Sequence, residues 1–493
     1  MIRIARRASL SLLALGMGGC TLLGPDYQAP EPQLMEQWSS PQPPPVSSQS
    51  PTDPRWWRTA FNDPVLDRLV EQALEQNLDL RSAALRVLQS QQQLAIAIGS
   101  QYPQQQRITA SAARERQNNV IFNDYNTGFN LSWELDLWGR FSRQIESAEA
   151  ALEASVADYD GAMVSLVAQV AQNYLLIRTA QSRIDVALTN IRLQEEGLRI
   201  ATAKLRAGEV SELDQDQAAS LLANTQASLP ALDSELQQLK NSLAVLLGTP
   251  PQQMNLLLTE RGPIPVTEPQ IALGMPQNLV RQRPDLRSAE RQLAAQSARI
   301  GVAETDLYPS LTLGGTIGSE AAQTNQLFES DTKTWSVVGG FSWNILNYGR
   351  LKSNVRLQDA RFQQLLEDYQ SSVLKAQAEV ESAIVAYLKS YEQLTYYQQA
   401  ADASGRSVDI SIAQYQNGAI DFNRVISTLS SDARQQDQLT IAKGNTVTSL
   451  VQLYRALGGG WEIREKLNPV ELLPEPLRQQ MRERTDAWEG VLQ

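Results

Sequence analysis

Apolar residues recur every seventh position over a long proline-free stretch: Val156, Met163, Val170, Ile177, Ile184, Ile191, Leu198 and Leu205. The same stripe returns as Leu366, Val373, Val380, Tyr387, Leu394, Ala401, Val408 and Tyr415. A sustained seven-residue period predicts long helices packed as coiled coils. No proline interrupts the chain between Pro103 and Pro230 or between Pro309 and Pro469. The helices are expected over about 139–207 and 349–417, each roughly 100 Å long at 1.5 Å per residue. Gly208 and Gly418 stand where they should stop, as helix-ending glycines do. Returning helices follow over about 211–247 and 421–457. Pro230, whose equivalent in the second repeat is Thr440, predicts a kink in the first returning helix only.

Ahead of each long helix the period changes from seven to two. Tyr125, Thr127, Phe129, Leu131, Trp133, Leu135 and Leu137 alternate with Asn126, Gly128, Asn130, Ser132, Glu134 and Asp136. Leu311, Leu313, Gly315 and Ile317 alternate with small polar residues, as do Trp335, Val337, Gly339, Phe341, Trp343 and Ile345. Two strands are expected within about 104–137 and two within about 310–346; the stretch around Arg107 to Ala113 alternates least. Such strands suit a barrel wall, apolar outside and polar inside, or a half-exposed soluble sheet. In hydrocarbon every sheet edge must be paired, and four strands cannot close around a lumen. Three chains supplying four strands each would close twelve, so a membrane location requires a trimer. Trp133 and Trp343 occupy the apolar parity and are candidate interface aromatics.

The chain is duplicated. Asp79-Leu80-Arg81-Ser82-Ala83 recurs as Asp285-Leu286-Arg287-Ser288-Ala289, and Tyr102-Pro103 as Tyr308-Pro309, both at an offset of 206. Beyond them the offset is 210: Trp133 matches Trp343, Gly139-Arg140 matches Gly349-Arg350, and Gly208 matches Gly418. The expected organisation is a segment 20–60 rich in proline, a first repeat 61–248, a proline-rich linker 249–277, a second repeat 278–461 and a tail 462–493.

Arg3, Arg6 and Arg7 precede an apolar run, Ala8 to Leu15, then Gly18-Gly19-Cys20. This reads as a secretory signal over 1–19, too short to span a bilayer. Cys20 is the single cysteine, and its place resembles a bacterial lipobox in which it becomes the acylated first residue. Thr21 in place of aspartate then implies the outer membrane. The chain has no histidine. Imidazole metal sites, Cys–His nucleophiles and internal disulfides are therefore absent, and no constellation supports an enzyme or a cofactor. The net charge is −11, and removing the leader's arginines makes it three units more negative. With no basic cluster, nucleic acid is a poor partner.

These residues resemble the bacterial outer-membrane efflux protein family, the TolC-like ducts, and within it the OprM-like lipoprotein branch. The resemblance is carried by Phe61-Asn62-Asp63-Pro64 with Leu66, Arg283-Pro284-Asp285 with Ala289-Glu290, and Tyr308-Pro309. Trp133-Glu134-Leu135-Asp136-Leu137-Trp138-Gly139-Arg140 and Tyr454-Arg455-Ala456-Leu457-Gly458-Gly459-Gly460-Trp461 complete it. It implies a mainly α fold with a membrane β-barrel, a homotrimer with a 12-stranded barrel and a 12-helix tunnel. It also implies a periplasmic adaptor (membrane fusion) protein, an inner-membrane pump of the resistance–nodulation–division type, and outer-membrane lipid as partners. A duct for drugs or other small solutes is the expected function. A protein-secretion duct like TolC and a lipid-anchored periplasmic coiled-coil scaffold without a pore are the alternatives. The resemblance places a periplasmic gate at the helix tips, where Asp214, six residues after Gly208, and Tyr415, three before Gly418, match its pattern. Arg424 stands where an aspartate is expected, and Asp421 adds acidity nearby. Gly208, Glu209 and Gly418 mark the tips expected to meet the adaptor.

Overall fold

The computed structural model describes residues 22–32, 34–39, 46–47, 54–258, 261–265, 271–272, 282–464 and 467–492. The signal segment and Cys20 lie outside the described residues. In chain order the elements are β1 (Val46–Ser47), α1 (Trp56–Phe61), α2 (Pro64–Gln76), α3 (Leu78–Gly99), β2 (Gln105–Gln117) and β3 (Val120–Glu134). Then come α4 (Arg140–Arg206), α5 (Glu212–Leu246), α6 (Pro251–Leu257), β4 (Ile271–Ala272), α7 (Pro284–Thr305), β5 (Ser310–Ala321) and β6 (Lys333–Ser342). The chain closes with α8 (Arg350–Gln416), α9 (Phe422–Ala456) and α10 (Glu475–Arg484). Residues 22–32, 86–157 and 287–371 form one compact unit and the other described residues a second.

The first unit holds a four-stranded antiparallel sheet in the order β2-β3-β5-β6. The stretch with the least alternation forms β2, full length at 13 residues. Its charges and small residues hide any period, but a two-residue turn places it. Asn118 and Asn119 take φ of 50° and 67°, the left-handed pair that a tight hairpin needs. The ladder to β3 then runs from Gln117↔Val120 to Gln105↔Ser132. The last strand ends at Ser342, one residue short of Trp343.

In the second unit, α4 and α8 bury their seven-residue stripes: Met163, Val170, Ile177, Ile184 and Ile191 on one, Val373, Val380, Tyr387, Ala401, Val408 and Tyr415 on the other. The α5 helix runs unbroken through Pro230. Within the proline-rich linker α6 forms, and β4 pairs in parallel with β1 from the other proline-rich segment.

Most sequence motifs prove to be joints. Asn62 takes a left-handed φ of 44° at the end of α1. Asp63 then caps α2, accepting from the amides of Val65 (2.8 Å) and Leu66 (3.2 Å), with Pro64 at the first helical position. Asp136 does the same for α4, accepting from the amides of Phe141 (3.0 Å) and Ser142 (2.9 Å). Arg283 grips Asp285 through both nitrogens of its fork and donates to the Ala456 carbonyl at 2.8 Å, satisfying the end of α9. Tyr454 stacks on Trp56 with ring centroids 4.7 Å apart and planes 11° apart.

Candidate functional site

Two places carry functional geometry, one in each unit. In the first, the ladder aligns Ile108, Phe129, Ile317 and Trp335 in a single row across all four strands. All four are exposed, by 81%, 39%, 70% and 77%. One residue along each strand, Arg107, Asn130, Thr316 and Ser336 align on the opposite face. There Thr316 and Ser336 share a hydrogen bond of 2.7 Å, and Asn130 donates to the Thr109 hydroxyl at 3.0 Å. The sheet thus has one apolar and one polar face, and neither covers a core. The edge strands β2 and β6 pair on one side only, with β3 and β5, and no other described strand covers their outer sides.

Trp133 and Trp343 sit where the strands meet the helices. Trp133 Nε1 donates to the Gln101 carbonyl at 3.2 Å, and Trp343 Nε1 to the Leu307 carbonyl at 3.0 Å. Gln101 and Leu307 are equivalent positions of the two repeats, so the indoles perform the same task twice. Each keeps its N–H paired and its ring partly exposed, the arrangement that suits an interface between hydrocarbon and water.

The second place is the pair of helix turns. Gly208 and Gly418 adopt φ of +75° and +72°. The Gly208 amide donates to the Leu205 carbonyl and the Glu209 amide to the Lys204 carbonyl, and the pattern repeats from Gly418 and Ala419. These paired bonds close each helix in the same way, and only glycine takes that φ without strain.

Between the turns Tyr415 is buried with Ala201, Ala218, Val408, Phe422, Val425 and Leu429. Its ring lies 5.0 Å from that of Phe422, and its hydroxyl has no hydrogen-bond partner among the described residues. Burial, with Asp214 and Glu209 nearby, holds its pKa above the usual phenol value. Lys204 lies 5.1 Å over the Tyr415 ring and pairs with Glu209 at 3.1 Å. Sequence reasoning missed Lys204, because a lysine in the last turn of a helix reads as a solvated charge.

Asp214 is half-buried beside Tyr415, whereas Arg424 is exposed. No ion pair joins the two within the described chain. The carboxylate of Asp421 is engaged locally: it caps α9 by accepting from the Arg424 amide at 3.0 Å. The structure therefore groups Asp214, Tyr415, Glu209 and Lys204, and leaves Arg424 exposed. Among the described residues no cluster of histidine, cysteine or carboxylates is arranged to hold a metal ion. None of the described helices is long and apolar enough to cross a membrane.

A sheet with one apolar face, one polar face and two open edges, in a chain that also forms long helical hairpins, is what the protomer of an outer-membrane channel requires. A profile of the family described as outer membrane efflux protein matches residues 69–249 and again 275–459, offset as the internal repeat is. The chain belongs to the outer membrane efflux protein family. It is 33% identical over 440 residues to the pyoverdine export outer membrane protein OpmQ of Pseudomonas putida, covering 85% of this chain and 92% of that one. It is 30% identical to the solvent efflux pump outer membrane protein SrpC of Pseudomonas putida, covering 93% and 99%. Among solved structures, the outer-membrane channel OprN superposes with a TM-score of 0.84 at 32% identity, covering 89% of this chain and 99% of that one.

Proposed function

We propose that the chain is one third of a trimeric outer-membrane outlet for an efflux pump, conducting small solutes delivered by an inner-membrane pump and a periplasmic adaptor. It is a duct and not an enzyme. The row Ile108–Phe129–Ile317–Trp335 carries this reading, because four exposed apolar side chains in register suit lipid and not water. The open edges of β2 and β6 demand strands from neighbouring copies, since unpaired backbone groups are costly in hydrocarbon. Three copies close twelve strands around the polar face. Cross-linking in detergent should yield three-chain species, and the purified protein should form conducting pores in planar bilayers. A monomer that stays soluble without detergent and conducts nothing would instead support the pore-less scaffold. The cargo is not set by such a wall, because a wide polar lumen selects little.

The helix turns are read as the gate and as the surface that meets the adaptor. Asp214 and Arg424 hold equivalent places in the two repeats, so in a trimer three of each alternate around the mouth. Exposed ion pairs contribute little singly, yet three together bias a two-state opening. Arg424→Asp should raise single-trimer conductance, and adding Asp214→Arg should restore the lower value, with both effects shrinking at high salt. Equal conductance in all three proteins would dismiss the pairing.

Cys20 is read as the lipid-bearing first residue of the mature protein. The mass of the mature amino terminus should show an acylated cysteine, lost in Cys20→Ser. A mature terminus at another residue would overturn that assignment.

A further inference from the structure

Residues Leu22 to Tyr27 do not hang free; they lie in a slot built from α4, α7 and the turn that enters α4. The Leu23 amide donates to the Trp138 carbonyl at 3.2 Å. Arg143, whose side chain is only 3% exposed, reaches the same segment with most of its donors. Nε donates to the Leu23 carbonyl at 3.0 Å, and Nη2 donates to the Gly24 carbonyl at 3.2 Å and to Asp26 at 2.8 Å. The remaining nitrogen, Nη1, holds Glu146 at 2.7 Å. Tyr27 closes the far end against Ala150 of α4 and Ala294 and Ala295 of α7, with its hydroxyl donating to the Glu290 carbonyl at 3.3 Å.

The slot is cut to backbone width. A Cβ on Gly301 would stand 2.7 Å from the Leu23 carbonyl oxygen and 3.0 Å from Arg143 Cγ. Gly24, at φ +85°, passes so close that its own Cβ would meet Gly301 Cα at 2.3 Å.

The duplication supplies a control. The first-repeat equivalent of Gly301 is Ala95, and the second-repeat equivalent of Arg143 is Ser353. Both features are missing from the matching place in the other half. A chain has one amino terminus, and these two departures from the pseudo-symmetry fall where that terminus crosses.

We propose that Arg143, Gly301 and the Trp138–Gly139 turn form a capture slot for the chain's own mature amino-terminal segment. Filling it staples α4 of the first repeat to α7 of the second, and fixes where a lipid on Cys20 enters the membrane. The second clause rests on the lipidation reading. One residue, Thr21, separates Cys20 from Leu22, a reach of about 7 Å at most from Cα to Cα. The acyl chains are thereby tethered at the foot of the strands and not at the end of a loose leader. Recognition is chiefly of main-chain carbonyls, so it tolerates changes in the side chains of the segment but not in the slot.

Hydrogen exchange of the full-length protein, purified in detergent, tests this. In wild type the Leu23 amide, which donates to the Trp138 carbonyl, should exchange slowly. Gly301→Ala blocks the slot while improving intrinsic helix propensity, so any loosening reports the slot and not the helix. Arg143→Met keeps the stem and removes the fork. Both should speed exchange of that amide at least about tenfold and lower the temperature at which trimers dissociate. Arg143→Lys, which keeps one charged donor, should fall between. Exchange that is already fast in wild type, or unchanged in both variants, overturns the slot, and an unchanged dissociation temperature overturns the staple. Mass measurement of the same wild-type sample separates the two readings: slow exchange on an unacylated terminus overturns lipidation and leaves the slot standing.

Discussion

Ile317→Arg should abolish insertion into outer membrane while leaving the helical content of the chain intact. Ile317 lies in the middle of the apolar row, between Phe129 on one neighbouring strand and Trp335 on the other. An arginine near the bilayer midplane on the lipid face of a barrel costs about 2–4 kcal/mol. The trimer carries the change three times. Thr316→Arg, one residue away on the polar face, is the matched control: its side chain meets the lumen, where a charge is solvated. Heat-modifiable trimers in membrane extracts should be lost from the first variant and retained in the second. Loss of both, or of neither, would show that the two faces are not distinguished by lipid.

Arg464→Ala should strongly destabilise the second unit. Arg464 follows the glycine-rich end of α9 and reaches Asp160 of α4 with two nitrogens, at 2.7 Å and 3.0 Å. The Asp160 side chain is 1% exposed. Removing one partner of a buried pair costs up to about 3–5 kcal/mol, because a carboxylate loses its counter-charge in a poorly hydrated place. Changing both together, as Asp160→Asn with Arg464→Gln, should cost much less than the sum of the single changes, the signature of direct coupling. Chemical unfolding in detergent, followed by circular dichroism, measures all four corners of the cycle. Additive losses would show that the pair does not hold the tail segment to α4.

Much of the architecture was legible before any coordinates. The seven-residue stripes run along the two 67-residue helices, the turn glycines stand at their ends with positive φ, and the alternating runs around Trp133 and Trp335 are strands. These signals are readable because helix period, strand period and glycine conformation are local properties. The motifs of the family resemblance were visible too, but their purpose was not. Asp63, Asp136 and Arg283 cap or close helices, which is a joint-making role that the spacing alone does not announce. The charges at the tips were also seen, but the sequence treated them alike. In the structure Asp421 is spent on a cap, Asp214 lies beside a buried tyrosine, and Lys204 joins them from a turn away.

The sequence by itself determined the duplication, the helix and strand periods, and the need for other copies to pair the sheet. Each of these follows from the spacing of residue types along one dimension. Tertiary structure decided the rest. The register that lines up Ile108, Phe129, Ile317 and Trp335 depends on which strands are neighbours, and β2, too polar to announce itself, is held there by its partner. The slot around Leu22 to Tyr27 depends on Arg143 and Gly301, which lie far apart in the chain and gain their meaning only when α4 and α7 stand side by side. Contacts between distant segments are set by the packing of whole elements, and no local pattern encodes them.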